Sequence, residues 1–249
     1  LTFRGKTNPV LFNNDWLKVQ SELDRVDHGV FSTGELADSL AIVPPLLEHA
    51  IDYFENQQSK YLLLLTKSTN IDILRHRKPS RQIIISFSIN SIPAARAYEK
   101  GAPEPMKRIQ AAFDVKSMGW RVRIRIDPII LESGISGFAS DLKHYEPISK
   151  AVSELSPEVV TIGTLRQYPG LHRFAKDAPR VGLKKAPDGR MRYPTKQRIA
   201  AYRQIADWLG FQPALCKESI KMWAALGWHF TDCNCTNNVE YDLLPIQEE

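Results

Sequence analysis

The first residues able to do chemistry are a glycine and two carboxylates that follow a short hydrophobic segment. Residues 30–33 are predicted to form a buried strand, and Gly34, Glu35 and Asp38 come directly after it. Glycine lets the backbone approach a ligand closely, and carboxylates accept hydrogen bonds from an amine or from ribose hydroxyls. The same residues also suit an ordinary loop in which Asp38 or Ser39 caps the next helix.

Polar side chains also follow the second and third predicted strands. Lys67 comes after an all-apolar run, and Ser88 and Asn90 end a β-branched run. The carboxyl ends of parallel strands meet at one rim, which is where ligands bind in such sheets. We therefore expect these residues to converge on a ligand site. An alternative stays open, because loops are polar in general and turns use Ser, Asn and Asp.

Strand and helix patterns alternate along the whole chain, and this alternation must position the polar residues. Residues 61–66 are continuously apolar, as is typical of a strand buried on both faces of a parallel sheet. Residues 121–126 alternate strictly, and Asp127 and Pro128 are expected to end that strand. Residues 91–105 are expected to form a loop. The pattern predicts an α/β fold with a parallel sheet and right-handed crossovers.

Composition and charge limit the class of protein. A hydrophobic content of 43% and a charged content of 24% among 249 residues are typical of a globular chain. No apolar run approaches the roughly 20 residues of a membrane helix. No secretory-signal pattern is visible, so a cytoplasmic location is expected. Three cysteines do not make a disulfide framework.

Basic residues point to a polyanionic partner. The net charge is +5, and residues 177–193 are basic and rich in Pro and Gly, as in a surface loop. Arg121, Arg123 and Arg125 are expected to form an exposed row on one strand. Both features would serve binding to nucleic acid.

Several short motifs occur in an order that resembles the spore photoproduct lyase family of radical S-adenosylmethionine (SAM) enzymes. They are Phe-Ser-Thr-Gly-Glu-Leu-Ala-Asp-Ser at 31–39, Leu-Thr-Lys-Ser at 65–68, Ile-Ser-Phe-Ser-Ile-Asn at 85–90, Ile-Asp-Pro-Ile-Ile at 126–130, Arg-Tyr-Pro at 192–194 and Leu-Cys-Lys-Glu at 215–218. The resemblance spans roughly residues 29–235. Each motif is short, but their order and spacing together are fairly specific.

The resemblance implies a partial (βα)6 barrel, of the TIM-like radical SAM type, that lacks its first strand. Residues 1–210 would form the barrel, and residues 211–249 a C-terminal strand, a short helix and a cysteine-containing tail. Such enzymes bind SAM and a [4Fe–4S] cluster, which is held by a Cys-x-x-x-Cys-x-x-Cys loop. This loop is absent here, so we expect no metal ligand in this sequence. We expect the natural chain to begin before Leu1, with the cluster ligands upstream.

The resemblance also assigns cofactor-binding roles to residues after the strands. Glu35 stands where radical SAM enzymes often bind the amino group of SAM, Lys67 where a cation meets its carboxylate, and Ser88 near the ribose or carboxylate. Taken alone, Lys67 would suit a solvated loop equally well. The complete expected cofactor set is Gly34, Glu35, Asp38, Lys67, Ser88 and Asn90.

One departure from the family concerns the hydrogen-atom donor. Members carry a cysteine where Glu35 stands here, and a carboxyl O–H is a much poorer hydrogen-atom donor than a thiol. Cys233 and Cys235 are therefore the candidate catalytic thiols, on a tail that would fold over the barrel mouth. Two alternatives stay open: the cysteines, with His229 nearby, ligate an auxiliary cluster, or they are inert packed thiols.

Two functions follow as expectations. The first is a radical SAM enzyme that cleaves SAM reductively to a 5′-deoxyadenosyl radical and acts on a nucleic-acid or nucleotide-like substrate. It would take electrons from flavodoxin or ferredoxin, and repair of DNA photoproducts is one form of this activity. The alternative is a non-catalytic nucleic-acid-binding barrel without the cluster. A phosphate-binding barrel ranks below both, because no glycine-rich phosphate loop is visible.

Overall fold

The computed structural model of the chain describes residues 15–33, 38–41, 45–131, 142–168 and 182–235. The helices are α1 (Trp16–Asp24), α2 (Pro45–Glu55), α3 (Asp72–Arg75), α4 (Ile92–Tyr98), α5 (Pro105–Ser117), α6 (Glu146–Leu155), α7 (Thr195–Leu209) and α8 (Ile220–Leu226). The strands are β1 (Gly29–Ser32), β2 (Lys60–Thr66), β3 (Ile83–Ser88), β4 (Arg121–Ile129), β5 (Val159–Thr164), β6 (Arg166–Gln167), β7 (Lys184–Lys185), β8 (Met191–Arg192) and β9 (Ala214–Leu215).

Six strands form one curled parallel sheet in the order β1-β2-β3-β4-β5-β9. Every neighbouring pair in this order is parallel. Because each strand lies beside the one before it, the carboxyl ends of all six meet at one rim. The predicted α/β architecture is confirmed. Strand β9 pairs with β5 through Thr161 and Ala214, so the chain after residue 210 still contributes to this sheet, and the division at that point stays a prediction.

The helices cover the convex face of the sheet. Alternate residues of each strand point outward, and Leu64, Phe87, Ile124 and Ile162 are completely buried there. They belong to the same hydrophobic cluster as the apolar stripe of α6, which includes Ile148. The opposite, concave face begins with a separate small cluster formed by Tyr61, Leu63 and Ile84. The convex face therefore holds the main core, which leaves the concave face for polar groups.

Two local expectations were wrong. Strand β4 continues past Asp127 and Pro128 to Ile129 instead of ending, and its register against β5 shifts between Ile126 and Ile129. Such an irregularity lets a strand accommodate a proline, which cannot donate a ladder hydrogen bond. Residues 91–105 contain helix α4 where a loop was expected. Ser91 accepts a hydrogen bond from the backbone of Ala94 at 3.3 Å and so caps this helix.

A small antiparallel sheet in the order β6-β8-β7 extends from the end of β5. Strands β7 and β8 lie in the basic segment that was expected to be a loop. Among the described residues, none of the helices is long and apolar enough to span a membrane.

Replacing a core isoleucine of the central strands should destabilise the protein strongly. The side chain of Ile124 is 0% exposed, so Ile124→Ala should lower the free energy of unfolding by about 2–5 kcal/mol through lost burial and an unfilled cavity. Ile220→Ala is the matched control, because Ile220 is 80% exposed and should change stability by no more than about 0.5 kcal/mol. Urea denaturation followed by tryptophan fluorescence measures both. Equal effects of the two substitutions would contradict the assigned core.

Candidate functional site

Asp38 joins the segment after β1 to the end of β2. Its Oδ1 accepts hydrogen bonds from the backbone of Leu40 (3.0 Å) and Ala41 (2.9 Å) and from Thr66 Oγ1 (2.7 Å). Its Oδ2 accepts one from the backbone of Lys67 at 2.6 Å. Asp38 thus shapes the rim of the sheet, and both of its oxygens have protein donors. The expected ligand residues Gly34 and Glu35 lie outside the described residues.

Lys67 is held at the rim by a buried carboxylate that the sequence did not point to. Lys67 Nζ lies 2.6 Å from Glu99 Oε1, and Arg108 Nη1 lies 2.6 Å from Glu99 Oε2. Glu99 is 6% exposed and Arg108 0% exposed. Burial alone would raise the pKa of Glu99, but the charges and hydrogen bonds of the two cations outweigh it and lower that pKa. Glu99 is therefore an ionised acceptor between two cations.

Ser88 and Asn90 belong to the same network. The carbonyl oxygen of Ser88 accepts a hydrogen bond from Arg108 at 3.0 Å. Asn90 Nδ2 donates to Glu99 at 3.4 Å, and Asn90 Oδ1 accepts from the hydroxyl of Tyr145 at 2.6 Å. Burial raises the pKa of Tyr145, so this hydroxyl keeps its proton. Two of the expected cofactor residues, Lys67 and Asn90, thus contact Glu99 directly, and Ser88 joins them through its carbonyl and Arg108.

The arginine row of β4 lines the concave face and is not exposed, so that expectation was wrong. Arg121 forms an ion pair with Glu158. Arg123, which is 0% exposed, lies 3.2 Å from the same carboxylate. Burial would raise the pKa of Glu158, but hydrogen bonds from Arg121 and Arg123 prevail and lower it. Alternation alone shows that these arginines share a face, but it does not show what covers that face.

The segment 231–235 covers part of the concave face. Asn234 is 0% exposed, and its backbone N–H donates to Thr161 Oγ1 at 2.8 Å. Its side-chain Nδ2 donates to Ser86 Oγ at 2.9 Å and to the carbonyl of Ile124 at 3.0 Å. Its own carbonyl accepts from Arg123 Nη1 at 3.0 Å. One asparagine therefore contacts β3, β4 and β5 together and anchors the segment that carries the two candidate thiols.

The side chain of Cys216, directly after β9, and a cysteine side chain of this segment converge on Arg125. Arg125 Nη2 lies 2.8 Å from Cys235 Sγ and 4.0 Å from Cys216 Sγ. Hydrogen bonding from the Cys235 side chain lowers the pKa of Cys233 to about 6 against the opposing effect of burial. Burial, followed by the charge of Asp127, raises the pKa of Cys216 to about 12. The same hydrogen bond, followed by burial, raises the pKa of Cys235, so Cys233 is the acidic thiol of the pair, whereas Cys235 and Cys216 keep their protons.

The three cysteines do not make a metal site. Cys216 Sγ accepts a hydrogen bond from Arg166 Nη2 at 3.2 Å, and Arg166 also pairs with Asp127 at 2.7 Å. In the part of the chain that the structure describes, no group of three or more His, Cys, Asp or Glu could hold a metal ion. Cys235 and Cys216 instead accept hydrogen bonds from Arg125 and Arg166.

Cations also gather at the small antiparallel sheet. The guanidinium of Arg190 lies 4.8 Å from the ring centroid of Tyr168, and Lys217 Nζ lies 3.2 Å from the hydroxyl of the same tyrosine. Tyr168 is 48% exposed, and Lys184 and Lys185 on β7 are exposed as well. The rim beyond β5 is therefore basic and carries an aromatic ring.

Comparison with known proteins relates this geometry to one family. The family model described as "Spore photoproduct lyase" matches residues 32–207. The spore photoproduct lyase of Bacillus subtilis is 26% identical over 153 residues, which are 61% of this chain and 42% of that protein. The enzyme of Clostridium acetobutylicum is 24% identical over 192 residues, which are 74% of this chain and 52% of that protein. The chain spans about half the length of these curated relatives.

Solved structures agree with the fold. Spore photoproduct lyase complexed with dinucleoside spore photoproduct has a TM-score of 0.62 at 16% identity, covering 80% of this chain and 64% of that chain. A double mutant of the enzyme with bound AdoMet and dinucleoside spore photoproduct has a TM-score of 0.63 at 16% identity, with the same coverage. The predicted partial barrel is confirmed by this likeness. With the family model matching well over half of its residues, this chain belongs to the spore photoproduct lyase family.

Proposed function

We propose that this chain is the cofactor-binding and substrate-facing part of a radical SAM enzyme that acts on a nucleic-acid or nucleotide-like substrate. The observation that carries the proposal is the convergence of Lys67, Ser88 and Asn90 on the Glu99–Arg108 ion pair at the carboxyl ends of β2 and β3. Ligands bind at this rim in parallel α/β sheets. The relatives support it, because one neighbouring structure holds AdoMet and a dinucleoside spore photoproduct.

The described residues fit the amino-acid end of SAM. Lys67 carries three N–H donors, Glu99 accepts one of them, and the side chain is 21% exposed, so the ammonium can also receive the carboxylate of a ligand. The buried network around Glu99 fixes its position in advance, which reduces the cost of binding. Glu35 is proposed to meet the amino group, Gly34 to let the backbone approach the ligand closely, and Asp38 to hold the rim in shape. SAM supplies a 5′-deoxyadenosyl radical when it is cleaved.

The described residues do not fit a [4Fe–4S] cluster. Such a cluster needs three thiolates that leave one iron open, and the cysteines here are partnered by Arg125 and Arg166. The proposal therefore takes the cluster ligands from outside the described residues. Reduction by flavodoxin or ferredoxin belongs to the same proposal.

A thiol of the Cys233/Cys235 pair is proposed to supply the hydrogen atom that quenches a substrate radical. The S–H bond of Cys235 would break as a C–H bond forms on the substrate, which leaves a thiyl radical on the sulfur. Cys235 is exposed on the concave face beside Arg125, and Asn234 fixes it there. Cys233 would share the unpaired electron, because it lies in hydrogen-bonding contact with Cys235.

The basic rim around Tyr168 is proposed to meet the phosphates of a DNA substrate. Arg190, Lys217 and the exposed lysines of β7 supply positive charge there, and cation contacts with phosphates dominate affinity for nucleic acids. The same rim would also serve a non-catalytic nucleic-acid-binding barrel. That alternative rests on the same observation, the cations gathered around the exposed Tyr168.

Loss of the Lys67 ammonium should weaken binding of SAM. Lys67→Ala removes a charge-assisted bond to the ligand carboxylate, so affinity should fall by on the order of 1–3 kcal/mol. Titration calorimetry with SAM measures the change. Lys107→Ala, at an exposed position of α5, is the matched control and should bind like the parent chain. Unchanged affinity in Lys67→Ala would contradict the assigned pocket.

The carboxylate of Glu99 should make stability depend on acid pH. Its pKa is lowered below the ordinary value of 4.5, so its contribution is complete above that pH and is lost as the pH falls through the folded-state pKa. Glu99→Gln should cost on the order of 3 kcal/mol at neutral pH, because Lys67 and Arg108 lose their buried anion. The difference from the parent should shrink below pH 4.5.

Urea denaturation across a pH series measures this effect. Glu48→Gln, on an exposed position of α2, is the control and should follow the parent at every pH. A difference between Glu99→Gln and the parent that is independent of pH would show that Glu99 is not ionised in the folded protein.

Removing both thiols of the pair should separate cofactor cleavage from substrate turnover. The protein expressed from its complete gene is reconstituted anaerobically with iron and sulfide and given 5′-deuterated SAM with dinucleoside spore photoproduct. The Cys233→Ala/Cys235→Ala variant should still cleave SAM, while product formation stalls or product gains deuterium from 5′-deoxyadenosine. Cys216→Ala is the control and should give protium-containing product at the parent rate.

Two other outcomes of this assay are informative. A normal yield of protium-containing product from the double variant would rule out the donor role. A reconstituted parent protein that stays colourless and leaves SAM intact would contradict the enzyme and favour the nucleic-acid-binding barrel.

A further inference from the structure

The thiols of Cys233 and Cys235 contact each other, and the residue between them is locked into the sheet. We infer that this pair is a reversible dithiol–disulfide couple that exchanges with external disulfides and dithiols. This chemistry needs neither SAM nor the nucleic-acid substrate. It is therefore distinct from the hydrogen-atom transfer proposed above, although it uses the same two sulfurs.

The backbone geometry suits a disulfide between these residues. The chain forms a turn at 234–235, and the Cys235 side chain and backbone N–H both donate to the Cys233 sulfur. A disulfide requires Cα atoms within roughly 4.4–6.8 Å of each other, a separation that a turn provides. Asn234 is 0% exposed and is fixed by hydrogen bonds to three strands, so both sulfurs are held on the same side of the sheet.

The surrounding charges favour a thiolate in the pair. Arg125 lies beside the pair. Arg166 and Asp127 lie beside the neighbouring Cys216, and Arg166 binds Asp127 through both carboxylate oxygens at 2.9 and 2.7 Å. Two guanidiniums and one carboxylate leave one positive charge, which a single thiolate balances. Arg125 donates to Cys235 at 2.8 Å, and the pKa of Cys233 is lowered to about 6 by its hydrogen bond from Cys235. The thiolate is the reactive form in disulfide exchange.

The third cysteine is excluded from this couple. Cys216 is 3% exposed, its pKa is raised to about 12 by burial, and its sulfur accepts a hydrogen bond from Arg166. It therefore stays a buried thiol, whereas Cys235 is exposed to a reagent in solution. Cys216 serves as an internal reference in the same molecule.

The exchange balances in two steps. Cys233, the thiolate of the pair, attacks one sulfur of an external disulfide while Cys235 keeps its proton, so that a mixed disulfide forms and a thiolate leaves. Cys235 then loses its proton to the medium and attacks Cys233, which closes the internal disulfide and releases the second thiolate. The pair gives two electrons to the external disulfide, whose released thiolates take up protons from the medium, and a dithiol reverses the reaction. If the proposed function holds, the oxidised form has no S–H to give, so the enzyme would be active only when the pair is reduced.

The test is a redox titration of the chain without SAM. The protein is equilibrated with graded ratios of oxidised and reduced dithiothreitol, quenched with acid, unfolded, alkylated and analysed by peptide mass spectrometry. The peptide that contains both cysteines should convert from doubly alkylated to internally oxidised, while Cys216 stays alkylated at every ratio. A disulfide that joins Cys216 to either partner, or no disulfide at any ratio, would overturn the inference.

Variants test the part that Arg125 plays in activating the Cys233/Cys235 pair. In the native protein, alkylation of the pair by iodoacetamide should reach half its maximal rate near pH 6, the value to which the pKa of Cys233 is lowered. Arg125→Gln should slow alkylation at neutral pH on the order of tenfold by raising the pKa of the pair. Arg96→Gln is the control, since Arg96 is exposed and pairs with Glu104. Native alkylation that equals that of the urea-unfolded chain would contradict an activated pair.

Asn234→Ala tests the anchor between the two thiols. It should raise the pH at which the pair reacts, because the sulfurs are no longer held beside Arg125, whereas Asn56→Ala on the exposed end of α2 should not. If Asn234→Ala fails to fold, Arg125→Gln still decides the question, because every contact of Asn234 remains in that variant. Loss of SAM binding with an intact redox titration would refute the proposed function and leave the dithiol–disulfide couple standing. Intact SAM binding with no disulfide in the titration would refute the couple and leave the proposed function standing.

Discussion

Arg123 brings a positive charge into the middle of the concave face, where its side chain is completely buried. A buried guanidinium is tolerated only when its donors are paired. Glu158, at the start of β5, supplies one partner, and the carbonyl of Asn234 supplies another. A six-stranded sheet curled into part of a barrel cannot cover its own concave face. The segment that follows α8 therefore covers it, and the position of the thiols results from the need to pair this arginine.

The rim of the sheet follows the same physical rule. Glu99 is buried between Lys67 and Arg108, and burying one of these charges without its partner would be costly. The network holds Lys67 at the end of β2 before any ligand arrives, and Asp38 fixes the backbone beside it. A ligand that binds here meets a cation already in place. The rim and the concave face are thus two preorganised sites, each with a buried charge at its base.

The sequence predicted those features that depend on neighbours along the chain. Burial on both faces makes β2 continuously apolar, and the polar residue after each strand marks the rim, so the grouping of Lys67 with Asn90 was foreseeable. Glu99 was missed because helix α4 was taken for a loop, which hid the turn that brings this carboxylate to the two cations. The burial of Arg123 was missed because its cover comes from a segment more than a hundred residues away. Alternation identifies a face, but the partner of that face is a property of the tertiary fold.

The contacts of Asn234 also bear on how the chain folds during synthesis. Its partners lie 73, 110 and 148 residues earlier in the sequence. Strands β1 to β5 leave the ribosome in order and pair with their predecessors, whereas the polar groups of the concave face stay open to water until residue 234 has emerged. Pairings of such long sequence separation form late and slow the folding of a domain. The concave face of the nascent half-barrel thus stays uncovered during most of translation, and the hydrogen bonds of the Asn234 side chain complete its cover.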